Sequence, residues 1–248
     1  MGGLSLTDQL PAADQLPAAD QLPVALGHSD PAGEPPWAMQ LVTRLERTAV
    51  PSRAGLCAAA AIAVVQLLAD ERSAPGGPWE PSVRRWTRGR IRKHARRARG
   101  VAWERVQALD GVTVDLGGAQ VRALVPTSLG DLPREVARLQ LSGSELEVLG
   151  PAVLEPVPGG PLVISITSDP VIPLGKAVAA AGHAAQLAWL SLPAGRRSEW
   201  AEAGYPVEVE HPEPQRWRRL LERAPIKVID GGLTVVAPGT CTAVVRWS

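Results

Sequence analysis

Three residues in the C-terminal third of the chain have types and spacing suited to hydrolysis: Lys176, Asp230 and Thr234. The chain has 23 arginines but only three lysines, Lys93, Lys176 and Lys227, although arginine serves equally well at most surface positions. Lys176 follows Gly175 at the expected first turn of a helix, where unpaired backbone N–H groups also attract anions. An ammonium there can stabilise an oxyanion or hold a phosphate. A carboxylate at Asp230 can orient or deprotonate water, and the Thr234 hydroxyl can position it. Asp169, His183 and Thr242 are supporting candidates, with Asp169 expected to pair with Lys176. Each residue also has a plainer reading: an ordinary first-turn lysine, a turn aspartate, a packing histidine, or strand threonines.

Other chemistries find no equipment. The sequence has no Ser-His-Asp or Cys-His signature, no phosphate-cradling Gly-Lys-Ser/Thr loop and no metal-ligand cluster, so neither metal nor cofactor is expected. Cys57 and Cys241 have no ligand spacing and suggest a reducing compartment.

Two segments carry the candidates. One is Asp169-Pro-Val-Ile-Pro-Leu-Gly-Lys176, continuing through Ala-Val-Ala-Ala-Ala-Gly to His183-Ala-Ala. The other is Asp230-Gly-Gly-Leu-Thr234-Val-Val-Ala-Pro238-Gly239-Thr-Cys-Thr242. In this pair the chain resembles the type 2 peptidyl-tRNA hydrolases. That family has an Asp after its first strand, a Gly-Lys seven residues on, and Ala-Ala and His-Ala on the first helix. Its second signature is Asp-Ala-Gly-Arg-Thr, followed by a Pro-Gly-Ser/Thr loop and a last strand. Asp230, Gly232, Thr234, Pro238, Gly239 and Thr242 fall in register with it. The resemblance covers residues 161–247 and implies hydrolysis of the ester between peptide and tRNA, with tRNA as partner. Three positions depart from the family: Leu174 stands for a lysine, Ala180 for a glutamine and Leu233 for an arginine. These departures keep open a non-catalytic tRNA- or RNA-binding protein on the same fold. A protein-interaction scaffold is a third reading.

The elements that must position these residues form an α/β pattern. Strands are expected at Met39–Leu45, Val112–Asp115 and Gln120–Val125, with Gly117-Gly118 as a turn, and helices at Arg53–Glu71 and Leu132–Leu139. In the second half, strands are expected at Leu162–Thr167, Val207–Glu210, Ile226–Ile229 and Ala243–Trp247. Helices alternate with them at Gly175–Leu192, Arg196–Ala203 and Pro214–Arg223. This predicts a small mixed sheet flanked by helices, an α/β/α sandwich. Residues 1–36, with Asp-Gln-Leu-Pro-Ala-Ala repeated at Asp8 and Asp14, are expected to be a disordered tail. A domain at 37–141, a linker at 142–160 and the hydrolase-like domain at 161–248 follow.

The stretch Val83–Ala108 reads as one long basic helix, carrying ten Lys/Arg and one Glu between Arg84 and Arg105. It is either a solvated face or a phosphate-binding surface for tRNA through Arg92, Lys93, Arg96 and Arg97. Residues 42–68 also align without gaps onto 164–190, and Asp115-Leu-Gly-Gly resembles Asp230-Gly-Gly-Leu. The first half therefore reads as a degenerate copy of the second, unless two apolar strand–helix units are alike by chance. In that copy Ala54, Ala61 and Ala119 match Lys176, His183 and Thr234, and the chain is an internal pseudo-dimer or a homodimer former. A net charge of +1, no basic-then-apolar leader, and a longest apolar run of only Ala54–Ala69 point to a cytoplasmic protein that does not enter membranes.

Overall fold

The computed structural model describes residues 30, 33–48, 50–140, 162–231 and 236–248. The expected linker at 142–160, most of the tail and Thr234 lie outside these residues.

The first half begins with strand β1 (Trp37–Arg44) and helix α1 (Arg53–Ala69), where the Ser52 hydroxyl accepts from the Gly55 N–H as N-cap. Helix α2 (Glu80–Thr87), strand β2 (Arg92–Ala98), helix α3 (Val101–Gln107) and strands β3 (Gly111–Leu116) and β4 (Ala119–Leu124) follow. A short β5 (Thr127–Ser128) pairs with the start of β1, and helix α4 (Arg134–Ala137) ends the unit. The second half runs β6 (Leu162–Ile166), α5 (Leu174–Ser191), α6 (Ala194–Glu202), β7 (Val207–Glu210), α7 (Pro214–Arg223), β8 (Ile226–Ile229) and β9 (Cys241–Trp247).

The two halves have one topology. The first sheet runs β2-β1-β4-β3 and the second β7-β6-β9-β8. In each, the first two strands are parallel and the other neighbours antiparallel. The duplication expected from the sequence is thus present as two similar α/β units. Its gapless alignment needs a correction. It places Val42 on Ile164, yet Val42 packs with Trp103 and Val106 on the outer face of its sheet, whereas Ile164 belongs to the main core beneath the helices. Successive strand residues face opposite sides, so the strands match only after a one-residue slip.

The units pack through α1 and α5. Both helices are rich in alanine and buried on nearly every side, which lets their backbones approach. Gly182 sits where the packing is tight: a Cβ there would lie 3.0 Å from Val64 Cγ2 and 3.3 Å from Leu41 Cδ1. Each helix also reaches the other unit's sheet, α1 touching β7 and α5 touching β2. Arg53, 2% exposed, crosses the junction to donate to the Ile172 carbonyl and, through Nε, to His211 Nε2 at 3.1 Å.

The basic stretch is not one helix. It divides into α2, β2 and α3, broken near Gly89 and Gly100. Strand β2 inserts its charged residues into a sheet instead of displaying them on one face. Lys93 and Arg96 are buried, and Arg92 pairs with Asp30 at 2.6 Å. Asp30 and Glu34, which pairs with Arg85, extend the ordered structure into the segment expected to be tail. Among the described residues, no helix is long and apolar enough to cross a membrane.

Candidate active site

Helix α5 begins at Leu174, after Pro173 as N-cap, and Pro173 has no side-chain group that could cap it. Lys176 stands in the first turn. Asp230 follows the last residue of β8, on the strand next to the one that ends the chain. Its N–H donates to the Thr240 carbonyl at 2.8 Å, and its own carbonyl accepts from the Gly239 N–H at 2.9 Å. Gly239, at φ +84°, adopts a backbone that side-chain-bearing residues disfavour. These bonds close the base of the β8–β9 connection and aim the Asp230 side chain toward α5. There the carboxylate forms an ion pair with the Lys176 ammonium, the two side chains being 14% and 16% exposed. The fold thus brings together two of the three residues proposed for chemistry, from 54 positions apart in sequence.

The supporting residues fare differently. Asp169 is exposed beside a cis bond to Pro170. Its backbone is engaged, with the N–H donating to Thr167 Oγ1 at 3.1 Å and the carbonyl accepting from the same hydroxyl at 3.0 Å. The carboxylate that meets Lys176 is therefore that of Asp230, not Asp169 as the sequence suggested. Thr242 is buried in β9, its hydroxyl donating to the Val228 carbonyl at 3.3 Å, which is a structural role. His183 lies two turns beyond Lys176, where burial and then the charge of Lys93 hold its pKa well below the ordinary imidazole value.

Lys93 has no counterpart in the sequence reading as a core residue. It projects from β2 toward α5, donates to Gln186 Oε1, and lies 4.9 Å from the centroid of the Trp86 ring. Burial pushes its amine down to about 7. The signal that could have revealed it is lysine scarcity: two of the three lysines engage partners on or beside α5.

Two of the departures from the family pattern have a packing explanation. Leu174 and Ala180 are 4% and 5% exposed and belong to the main core, on a helix whose surface α1 covers. A polar side chain at either position would be buried in that core.

The arrangement can present an ammonium donor and a carboxylate acceptor to one reactant. Among the described residues, no group of three or more His, Cys, Asp or Glu side chains is placed to hold a metal ion. Comparison with protein-family models, with curated proteins and with solved structures returns no match for the chain.

Proposed function

We propose that the C-terminal unit hydrolyses the ester joining a peptide to tRNA. The observation that carries this reading is the Lys176–Asp230 ion pair, which joins the first turn of α5 to the end of β8. Asp230 accepts a proton from water as the water oxygen attacks the ester carbonyl. The carbonyl oxygen gains negative charge, and the Lys176 ammonium donates a hydrogen bond to it. The tetrahedral species collapses by breaking the bond to the ribose 3′-oxygen, which takes the proton from Asp230. Thr234, in the same connection, positions the water. The resemblance of the two motifs supplies the substrate class.

The test is cleavage of a model peptidyl-tRNA by the purified chain, with Lys176→Ala and Asp230→Asn beside it. Loss of cleavage in both variants, with folding retained, supports the assignment. Full activity in Lys176→Ala overturns it. A second reading, tRNA binding without catalysis, is favoured by the burial of Leu174 and Ala180, which leaves fewer polar groups beside the pair. Salt-sensitive tRNA binding with no cleavage is its signature.

A further inference from the structure

The first unit has a cleft of its own, away from the Lys176–Asp230 pair. It has a volume of about 510 Å³ and lies just beyond the carboxyl ends of the parallel strands β1 and β2. In open α/β sheets, that end of the strands is where ligands bind. Four arginines line it: Arg47 after β1, Arg97 and Arg99 at and after the end of β2, and Arg138 after α4.

Glu46 is the one acidic side chain of the lining, and its charge is already engaged. Its carboxylate accepts from Arg44 Nε at 2.9 Å and from the Gly100 N–H at 3.2 Å, and these bonds hold its pKa below the usual carboxylate range. The frame is fixed by the chain itself. The Leu45 N–H donates to the Ala98 carbonyl at 3.0 Å, and the Arg97 N–H to the Gln140 carbonyl at 3.2 Å. Arg96, buried beneath, donates through Nη1 to the Leu139 carbonyl at 2.8 Å, tying the segment after α4 to β2. Arg47, Arg99 and Arg138 are exposed above this frame.

The chemistry of the cleft is specific in two respects. Its charge is supplied by arginines alone, whose planar guanidinium groups match phosphate oxygens in pairs and stack on flat rings. Its volume exceeds that of a phosphate and falls in the range of small-ligand sites, with Leu45, Ala98 and Leu139 supplying apolar wall. A phosphate attached to a flat apolar group satisfies both.

We infer that this cleft binds the phosphate and base of a nucleotide, presented by a single RNA strand. The site stands independently of the hydrolase reading. It also replaces the basic face expected from the sequence: of Arg92, Lys93, Arg96 and Arg97, only Arg97 lines the cleft.

The experiment is fluorescence anisotropy of a labelled single-stranded RNA oligonucleotide across a salt series. It compares the full chain with the triple variant Arg47→Ala/Arg99→Ala/Arg138→Ala. The control is Arg218→Ala/Arg219→Ala/Arg223→Ala, which removes the same charge from the exposed face of α7. The cleft variant is expected to lose at least about tenfold in affinity and to flatten the salt dependence, while the control changes little. AMP is added as a competitor. Displacement of RNA by AMP at comparable concentration assigns the site to a free nucleotide and overturns the assignment to RNA. Failure of AMP to displace supports the strand. Equal losses in both triple variants, or no RNA binding by the full chain, overturn the proposal. Lys176→Ala binds RNA like the unaltered chain, so failure here is distinguishable from failure of the hydrolase reading.

Discussion

The β3–β4 hairpin and the β8–β9 hairpin occupy the same place in two sheets of the same strand order, yet they end differently. In the first unit, Leu116 and Ala119 pair across Gly117-Gly118, both at positive φ, and the turn is complete. Asp115 serves the turn itself, accepting from the Gly118 N–H at 2.8 Å and from Gln120 Nε2. The hairpin tip seals onto α1, so that a Cβ on Gly55 would lie 3.2 Å from the Cβ of Ala119. In the second unit, the last pair is Ile229 with Cys241, and residues 230–240 form the connection. Asp230 begins that longer connection and reaches Lys176. The match of Asp115 to Asp230 read from the sequence therefore joins residues with different work. The first unit's turn of two glycines keeps its aspartate within the hairpin, while in the second unit the aspartate pairs with a lysine in the first turn of a helix. The first unit carries its cleft at the carboxyl ends of β1 and β2.

The comparison can be broken most sharply at Lys176. Lys176→Ala is expected to lower cleavage of peptidyl-tRNA by about 10²–10³-fold, read as kcat/KM, with little change in melting temperature. Replacing residues 231–239 by Gly-Gly, to copy the first unit's turn, is expected to abolish cleavage and leave RNA binding intact. Cleavage surviving that exchange would show that the longer connection is not what distinguishes the units.

Arg53 tests whether the units depend on each other. Arg53→Ala leaves the Ile172 carbonyl and His211 without their buried donor, and is expected to cost about 2–3 kcal/mol in urea unfolding. A variant as stable as the unaltered chain would mean that the junction rests on the alanine helices alone.

Lys93 supplies the third test. Its amine is pushed down to about 7 in the folded chain, against about 10.4 when unfolded. Between these values the unfolded chain binds the extra proton, so stability rises with pH from about 7 to about 10 and is flat below, as far as this group is concerned. Lys93→Met is expected to add about 1–3 kcal/mol near pH 7 and to remove that rise. Unfolding curves with the same pH slope in both proteins would contradict the burial of the amine. The smallest effect is expected from Asp115→Ala, about 0.5–1 kcal/mol of stability with cleavage unchanged.

Much of this architecture is legible in the residues. Leu162–Ile166 is a strand because β-branched residues dominate it, Val207–Glu210 because valine alternates with glutamate, and Gly117-Gly118 is a turn because only glycine readily takes both positive φ values. Strand β2 was not legible. Arg-Lys-His-Ala-Arg-Arg-Ala has neither apolar alternation nor branched side chains, and arginine and alanine favour helix. Its place in the sheet is set from outside, by β1 alongside and by Trp86 and Gln186 around Lys93. Gly89 and Gly100 were the available punctuation. At the candidate site, Lys176 and Asp230 were legible from motif spacing, but their pairing was not. The nearer carboxylate in sequence, Asp169, is exposed, while the backbone bonds from Asp230 to Gly239 and Thr240 hold Asp230 where its carboxylate meets Lys176.

The packing of each central helix against the other unit also bears on how the chain is made. During synthesis α1 emerges first, yet α5 and β7, which cover much of its surface, follow more than a hundred residues later. At ribosomal speeds of roughly 5–20 residues per second, the Ala–Val–Leu surface of α1 waits on the order of ten seconds for its cover. A nascent chain stalled before residue 174 would be a ready client for chaperones that bind apolar helices, and release of the finished chain would end that dependence.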